Sequence, residues 1–175
     1  MKPLNLPLMP RSPYLTAVRA KLGHDLLTLT AASVSVFDDQ GRLLLGLDAD
    51  SGLWALPGGA IDPDELPSDA AVRECWEEAG IIVQPTALIG VFGGPGFRIN
   101  YPNGDVTYYT TIAFKARKIG GSLRPDGVEM TMLRYFARTE FDQISVTPSS
   151  RVIAEHAFSR SGSPYFAPAT WSPSP

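Results

Sequence analysis

Cysteine is almost absent from this chain: Cys75 stands alone among 175 residues. A lone cysteine excludes an internal disulfide and fits a reducing compartment. Basic charge is not in excess either, with 15 Lys and Arg against 18 Asp and Glu and a net charge of -3. That balance leaves no broad positive footprint for a nucleic-acid polymer. No apolar run approaches the roughly 20 residues that cross a bilayer as a helix. The first residues also lack an apolar stretch ahead of a small-residue cleavage site. A cytoplasmic protein that engages neither membrane nor nucleic-acid polymer is therefore expected. No internal repeat is visible. What is present, 44% hydrophobic and 19% charged residues, suits one compact domain with a sizeable core.

The most informative stretch is Gly58 to Ile81, GGAIDPDELPSDAAVRECWEEAGI. Pro57-Gly58-Gly59 breaks a strand-like run from Leu53 to Leu56. An acidic loop follows from Ile61 to Leu66, and Pro67 suits the first turn of a helix, where its missing N–H costs nothing. The helical pattern runs from Ser68 to Ala79, with Gly80 in the place of a left-handed cap. At about 100° per residue, Ala71, Val72, Cys75, Trp76 and Ala79 share an apolar face. Glu74, Glu77 and Glu78 fall on the opposite face. Carboxylates so close repel one another unless a cation sits among them. Mg²⁺ takes oxygen ligands of this kind, keeps several waters and is commonly shared with substrate phosphates. A merely solvated acidic face is the plainer reading of a bare ExxEE.

The spacing favours the metal. Gly59, five residues, Glu65, seven residues, then Arg73-Glu74-Cys75-x-Glu77-Glu78-x-Gly80-Ile81 resembles the Nudix box, G-x5-E-x7-R-E-U-x-E-E-x-G-U with U bulky and aliphatic. All seven fixed letters match. At residue frequencies of about 6% the chance is on the order of one in a hundred million per window. Cys75 departs from the pattern at one U position and can pack as a small hydrophobe. Trp54-Ala55-Leu56-Pro57-Gly58 also resembles the family's approach to its box.

Along the chain, residues 1–11 read as a proline-containing arm, followed by a short helix from Tyr14 to Leu22 that ends at Gly23. Strand signals span Leu26–Leu29 and Ala32–Phe37, and the latter turns at Asp38-Asp39-Gln40-Gly41 into Arg42–Leu47. Past the motif helix, Ile82-Val83 and Leu88–Phe92 suggest strands, with a break at Gly93-Gly94-Pro95-Gly96. Phe97–Tyr101 and Val106–Ala116 flank Asn103-Gly104, a strong hairpin signal. A loop at Gly120-Gly121, a strand at Met132–Phe136 and a helix at Ser149–Phe158 complete the pattern. The expected organisation is an arm and short helix over 1–25, a catalytic domain over 26–158 and a loosely held Pro/Ser-rich tail over 159–175. The elements imply an α/β protein, and the resemblance sharpens this to the Nudix fold, a mixed β-sheet sandwiched between helices (α/β/α).

The resemblance implies a metal-dependent hydrolase acting on phosphoric anhydride bonds. It would cleave the diphosphate of a nucleoside diphosphate linked to another moiety by attack of water on phosphorus, with ADP-ribose, a nucleoside diphosphate sugar or a (d)NTP-like molecule as substrate. Glu74, Glu77 and Glu78 would bind Mg²⁺ or Mn²⁺, joined by the backbone carbonyl of Gly59 or Gly58. Arg73 would orient the box carboxylates, with Glu65 as a salt-bridge partner. Family members also draw an acid from a loop before a late strand; here Glu129 is favoured, with Asp126 nearby and Asp105 a weaker candidate. Phe97, Tyr101, Tyr108, Tyr109 and Trp54 are the aromatics able to stack on a base, although aromatics in strands are more often core. Family members place arginines where this chain has Gly46-Leu47-Asp48. Phosphate contacts then fall to Arg42, Arg98 or Lys115, or are absent. Analogy also implies a homodimer. The main alternative is a non-catalytic nucleotide-binding module, which would lack a metal glutamate, and none is missing. An isomerase relative would need a catalytic cysteine, and Cys75 sits on the apolar face of the motif helix.

Overall fold

The computed structural model describes residues 12–159 and 162–173, so the expected arm over 1–11 lies outside the described residues. Helix α1 (Pro13–Leu22) opens with Ser12 accepting from the Leu15 amide at 3.2 Å and closes at Gly23. There follow β1 (Leu27–Val36), β2 (Leu43–Asp48), β3 (Trp54–Ala55), β4 (Gly58–Ala60), α2 (Pro67–Ala79), β5 (Ile81–Phe92), β6 (Arg98–Asn100), β7 (Val106–Gly121), β8 (Met130–Phe136) and α3 (Pro148–Phe158). Proline opens all three helices, where its fixed φ is already helical. None of them is long and apolar enough to cross a membrane.

Strands β4-β1-β7-β5 form the larger sheet in that order, with β6 paired to β7, and β3-β2-β8 form the smaller one. Among the strand pairs of the described residues, only the central β1–β7 pair is parallel. Alternation along β2 defines the layers. Leu44 joins the cluster of Val34, Ala71, Cys75 and Ala79 under α2, while Leu43 and Leu45 join that of Phe92, Phe136, Phe141 and Ile153 under α3. Helices thus cover both faces of the strands, the α/β/α arrangement.

Four local expectations change. The turn at Asp38–Gly41 forms, with Asp38 Oδ1 accepting from the Gln40 and Arg42 amides at 3.0 and 2.9 Å. It does not make a hairpin, because β1 and β2 belong to different sheets and share one bridge, Phe37 to Leu43. Strand β1 is buried on both faces from residue 31 to 36 and lies inside the larger sheet instead. The two short strands expected within 82–92 are one strand, β5, whose register shifts absorb Pro85. Gly120 and Gly121 lie at the end of β7, paired with Ile82 and Ile81. Lastly, the tail is anchored at Tyr165, whose amide donates to Ile89 O at 2.8 Å and whose carbonyl accepts from Val91 N at 2.9 Å. Its ring stacks on His156 and Phe92.

Candidate active site

The site begins with the strand that delivers the two glycines. Trp54 donates to Ser145 O and accepts from Thr147 N, each at 2.9 Å, and the Leu56 amide donates to Ser150 Oγ at 2.9 Å. Ser150, fully within α3, carries no sequence signal for this role; it is recognisable only once α3 is packed beside β3. Held in this way, Gly58–Ala60 pairs with Ala31–Ser33. The Gly58 amide then donates to Glu78 Oε2 at 3.0 Å. Gly59 faces Glu74 so closely that a Cβ would fall 2.5 Å from Glu74 Oε1. Gly59→Ala should therefore displace that carboxylate and lower kcat about tenfold or more. Its melting temperature should stay near that of the parent, since only a side-chain tip must move. Calorimetry and steady-state kinetics on one sample check both halves, and unchanged kcat would remove Glu74 from the chemistry.

On α2 the buried residues are Ala70, Ala71, Glu74, Cys75, Glu78 and Ala79. The expectation of an acidic face opposite the apolar one is corrected here. The row 70-74-78 runs beside the row 71-75-79 at four-residue spacing, and both turn inward. Trp76, expected on the apolar face, is 51% exposed. Glu74 and Glu78 are only 7% and 3% exposed, so they do not form a solvated surface. Burial raises the Glu74 carboxyl to about 7, against the pull of the Arg73 charge. The Glu78 carboxyl is raised well above its ordinary value by complete burial, with the charges of Glu74 and Glu129 adding to the effect.

Arg73 reaches across this group. Its Nε and one terminal nitrogen donate to the two oxygens of Glu65 at 2.8 and 3.0 Å, and the same terminal nitrogen reaches Ala60 O at 3.0 Å. The other donates to Glu74 at 2.7 Å and Glu77 at 3.1 Å. The Arg73 fork lowers the Glu65 carboxyl. The motif arginine thus ties the loop before α2 to the carboxylates on it.

From the other sheet comes Glu129, immediately before β8. Its carboxyl faces that of Glu78 within the cluster, and its own pKa is raised first by burial. Oxygens of Glu74, Glu78 and Glu129 lie within 4.8 Å of one another. Around an octahedral Mg²⁺ at about 2.1 Å, ligand oxygens stand roughly 3 to 4 Å apart. Three hard donors gathered to that scale fit such an ion after small side-chain rotations. Nearby, the Tyr101 and Tyr109 hydroxyls pair at 3.0 Å. Burial raises both, and the charges of Asp48 and Glu74 act on them respectively. Asp48 is a neighbour that the sequence reading treated only as a missing arginine.

Other expected residues are not brought to this cluster. Glu77 is 56% exposed in its side chain and faces Arg73. Arg42 pairs with Asp38 at 2.7 Å, at the end of β2 away from the Asp48–Met130 neighbours. That places it roughly 20 Å off at about 3.3 Å per residue. Lys115 sits over the Phe37 ring. Phe97 is a core residue stacked on Phe92, which corrects its expected role as a base platform. Arg98 is exposed on β6. Asp105 is buried against His24 and Arg19, where it ties the β6–β7 hairpin to α1. Cys75 is buried in the core under α2, its thiol held protonated by burial.

The model of the NUDIX domain family matches residues 27–157, and the chain belongs to that family. A MutT-like protein of Streptomyces ambofaciens is 40% identical over 79 residues, 45% of this chain and 51% of the relative. The match thus spans about half the length of that curated relative. Among solved structures, a MutT NUDIX hydrolase from Burkholderia pseudomallei superposes with a TM-score of 0.61 at 26% identity, over 74% of this chain and 98% of the other. An ADP-ribose pyrophosphatase from Streptococcus suis gives 0.59 at 24% identity, over 78% and 96%, a likeness of fold.

Proposed function

We propose that this chain is a metal-dependent pyrophosphohydrolase that cleaves the diphosphate bond of a nucleoside diphosphate linked to another moiety, by attack of water on phosphorus. One observation carries the reading: Glu74 and Glu78 from α2 meet Glu129 from the other sheet with oxygens within 4.8 Å. A bound Mg²⁺ or Mn²⁺ would neutralise diphosphate charge and make a water more acidic. The chain's own work is to gather and aim the ligands. The Gly58 amide holds Glu78, Gly59 leaves room for Glu74, and Arg73 braces Glu74 from the side. Exposed Arg98 is the candidate for a contact with substrate phosphate. Family members act by aligning a phosphoryl group and its nucleophile rather than by covalent chemistry, and a cluster of fixed carboxylates serves that end.

The test is product analysis over ADP-ribose, nucleoside diphosphate sugars, dinucleoside polyphosphates, dNTPs and oxidised dNTPs, with Mg²⁺ and then with excess EDTA. Cleavage at the diphosphate of at least one substrate is expected, with turnover lost in EDTA and restored by added Mg²⁺. Full turnover in EDTA would overturn the metal. Nucleotide binding without cleavage of any panel member would favour the binding module instead.

A further inference from the structure

The three clustered glutamates are not held in the same way. Glu74 and Glu78 ride on α2, whose backbone is fixed by its own helical bonds. Glu129 sits in a loop, in the run Asp126-Gly127-Val128-Glu129 that precedes β8. Its carbonyl accepts from Ala49 N at 2.9 Å. Its amide donates to the Asp126 carboxylate, at 3.2 Å to Oδ1 and 3.1 Å to Oδ2. Oδ1 also accepts from Val128 N at 3.2 Å and Met130 N at 2.8 Å. Gly127, at φ 77, lets the chain fold back over this carboxylate, and its amide donates to Met130 O at 3.0 Å.

We propose that Asp126 is a positioning residue: by gathering three consecutive amides it fixes the backbone of Glu129 and so aims that carboxylate at Glu74 and Glu78. The proposal rests on the metal reading given above. Without an acceptor at 126, the amides of Val128 to Met130 turn to water, and Glu129 gains the rotational freedom of an ordinary loop residue. Asp126 also brings a negative charge toward Glu129, and the two effects are separable. Asparagine removes the charge and keeps an Oδ1 for all three amides, losing only the second acceptor, Oδ2, that the Glu129 amide also uses, whereas alanine removes the charge and every acceptor.

The measurement is Mn²⁺ binding to the full chain without substrate, by electron paramagnetic resonance, for the parent, Asp126→Ala, Asp126→Asn and Glu129→Gln. Asp126→Ala should weaken binding about tenfold or more, while Asp126→Asn stays near the parent. Equal weakening in both variants would assign the effect to charge and overturn the positioning role, as would parental binding by Asp126→Ala. Should the alanine variant fail to fold by circular dichroism, Asp126→Leu, which likewise has no acceptor but keeps side-chain bulk, takes its place under the same criteria. Glu129→Gln separates the two levels. If it binds Mn²⁺ like the parent, the metal cluster itself is wrong; if it weakens while Asp126→Ala does not, only the positioning role fails.

Discussion

Glu78→Gln is expected to lower kcat on the best substrate about a hundredfold or more, a barrier increase of about 3 kcal/mol. Glu78 stands one helical turn beyond Glu74, so their carboxylates reach the same point from adjacent turns. It is also the most enclosed member of the cluster, bonded on one side to the Gly58 amide and facing Glu129 on the other. Glutamine keeps the size and an oxygen for the Gly58 amide. It removes the charge that a hard cation needs and replaces half the carboxylate with a donor pointed at the other ligands. The fold should not suffer. Replacing one carboxyl of this crowded group should leave the melting temperature in metal-free buffer unchanged or slightly higher. Near-parental turnover in this variant would mean that the box is not the catalytic metal site.

Arg73→Ala should produce the next largest loss, a fall in kcat of roughly tenfold to a hundredfold, with a smaller change in KM. The five hydrogen bonds of Arg73 go to Glu65, Glu74, Glu77 and Ala60 O. Truncation leaves Glu74 without its only ion-pair partner among the described residues. It also frees the loop that carries Glu65. Because the side chain is 32% exposed, water can replace it, and the variant should remain folded. Lysine offers the charge without the fork and should recover part of the loss. Circular dichroism and kcat together decide the matter. An unfolded Arg73→Ala would make the residue structural, and full activity would leave the brace without function.

The reading of α2 from sequence was direct because both of its ends are marked by backbone chemistry: Pro67 at the first turn and Gly80 in the left-handed conformation at φ 68. Asn103-Gly104 announced the β6–β7 hairpin for the same reason. Such signals are local, and so is the spacing of the box. Burial is not local. A helical wheel gives the neighbouring rows 70-74-78 and 71-75-79, but only the sheet beneath decides how many rows turn inward. That is why the wheel alone sets Glu74 and Glu78 opposite the apolar face, where the structure turns them inward. The turn at Asp38 likewise reads as a hairpin until β1 is seen between β4 and β7. Arg42 and Phe97 have the right chemical type for a substrate contact, yet each is engaged elsewhere, one by Asp38 and the other by Phe92. Glu129 lies far from the box in sequence, and its approach depends on β2–β8 pairing and on the fold of its own loop.

The seat of Tyr165 bears on one border of the larger sheet. Strand β5 borders the larger sheet, and among the described residues it has no full strand for a neighbour beyond β7. A bare border of this kind offers a row of amides and carbonyls to any passing chain, which is how edge-to-edge aggregates begin. Here the polypeptide turns back and occupies part of that row with its own backbone at Ile89 and Val91. Gly90 makes the approach feasible, since a Cβ there would collide with the Tyr165 backbone. The tail therefore acts as a self-supplied selvedge, and it shields a stretch of border that a chain ending before Tyr165 would leave open to pairing with a stranger.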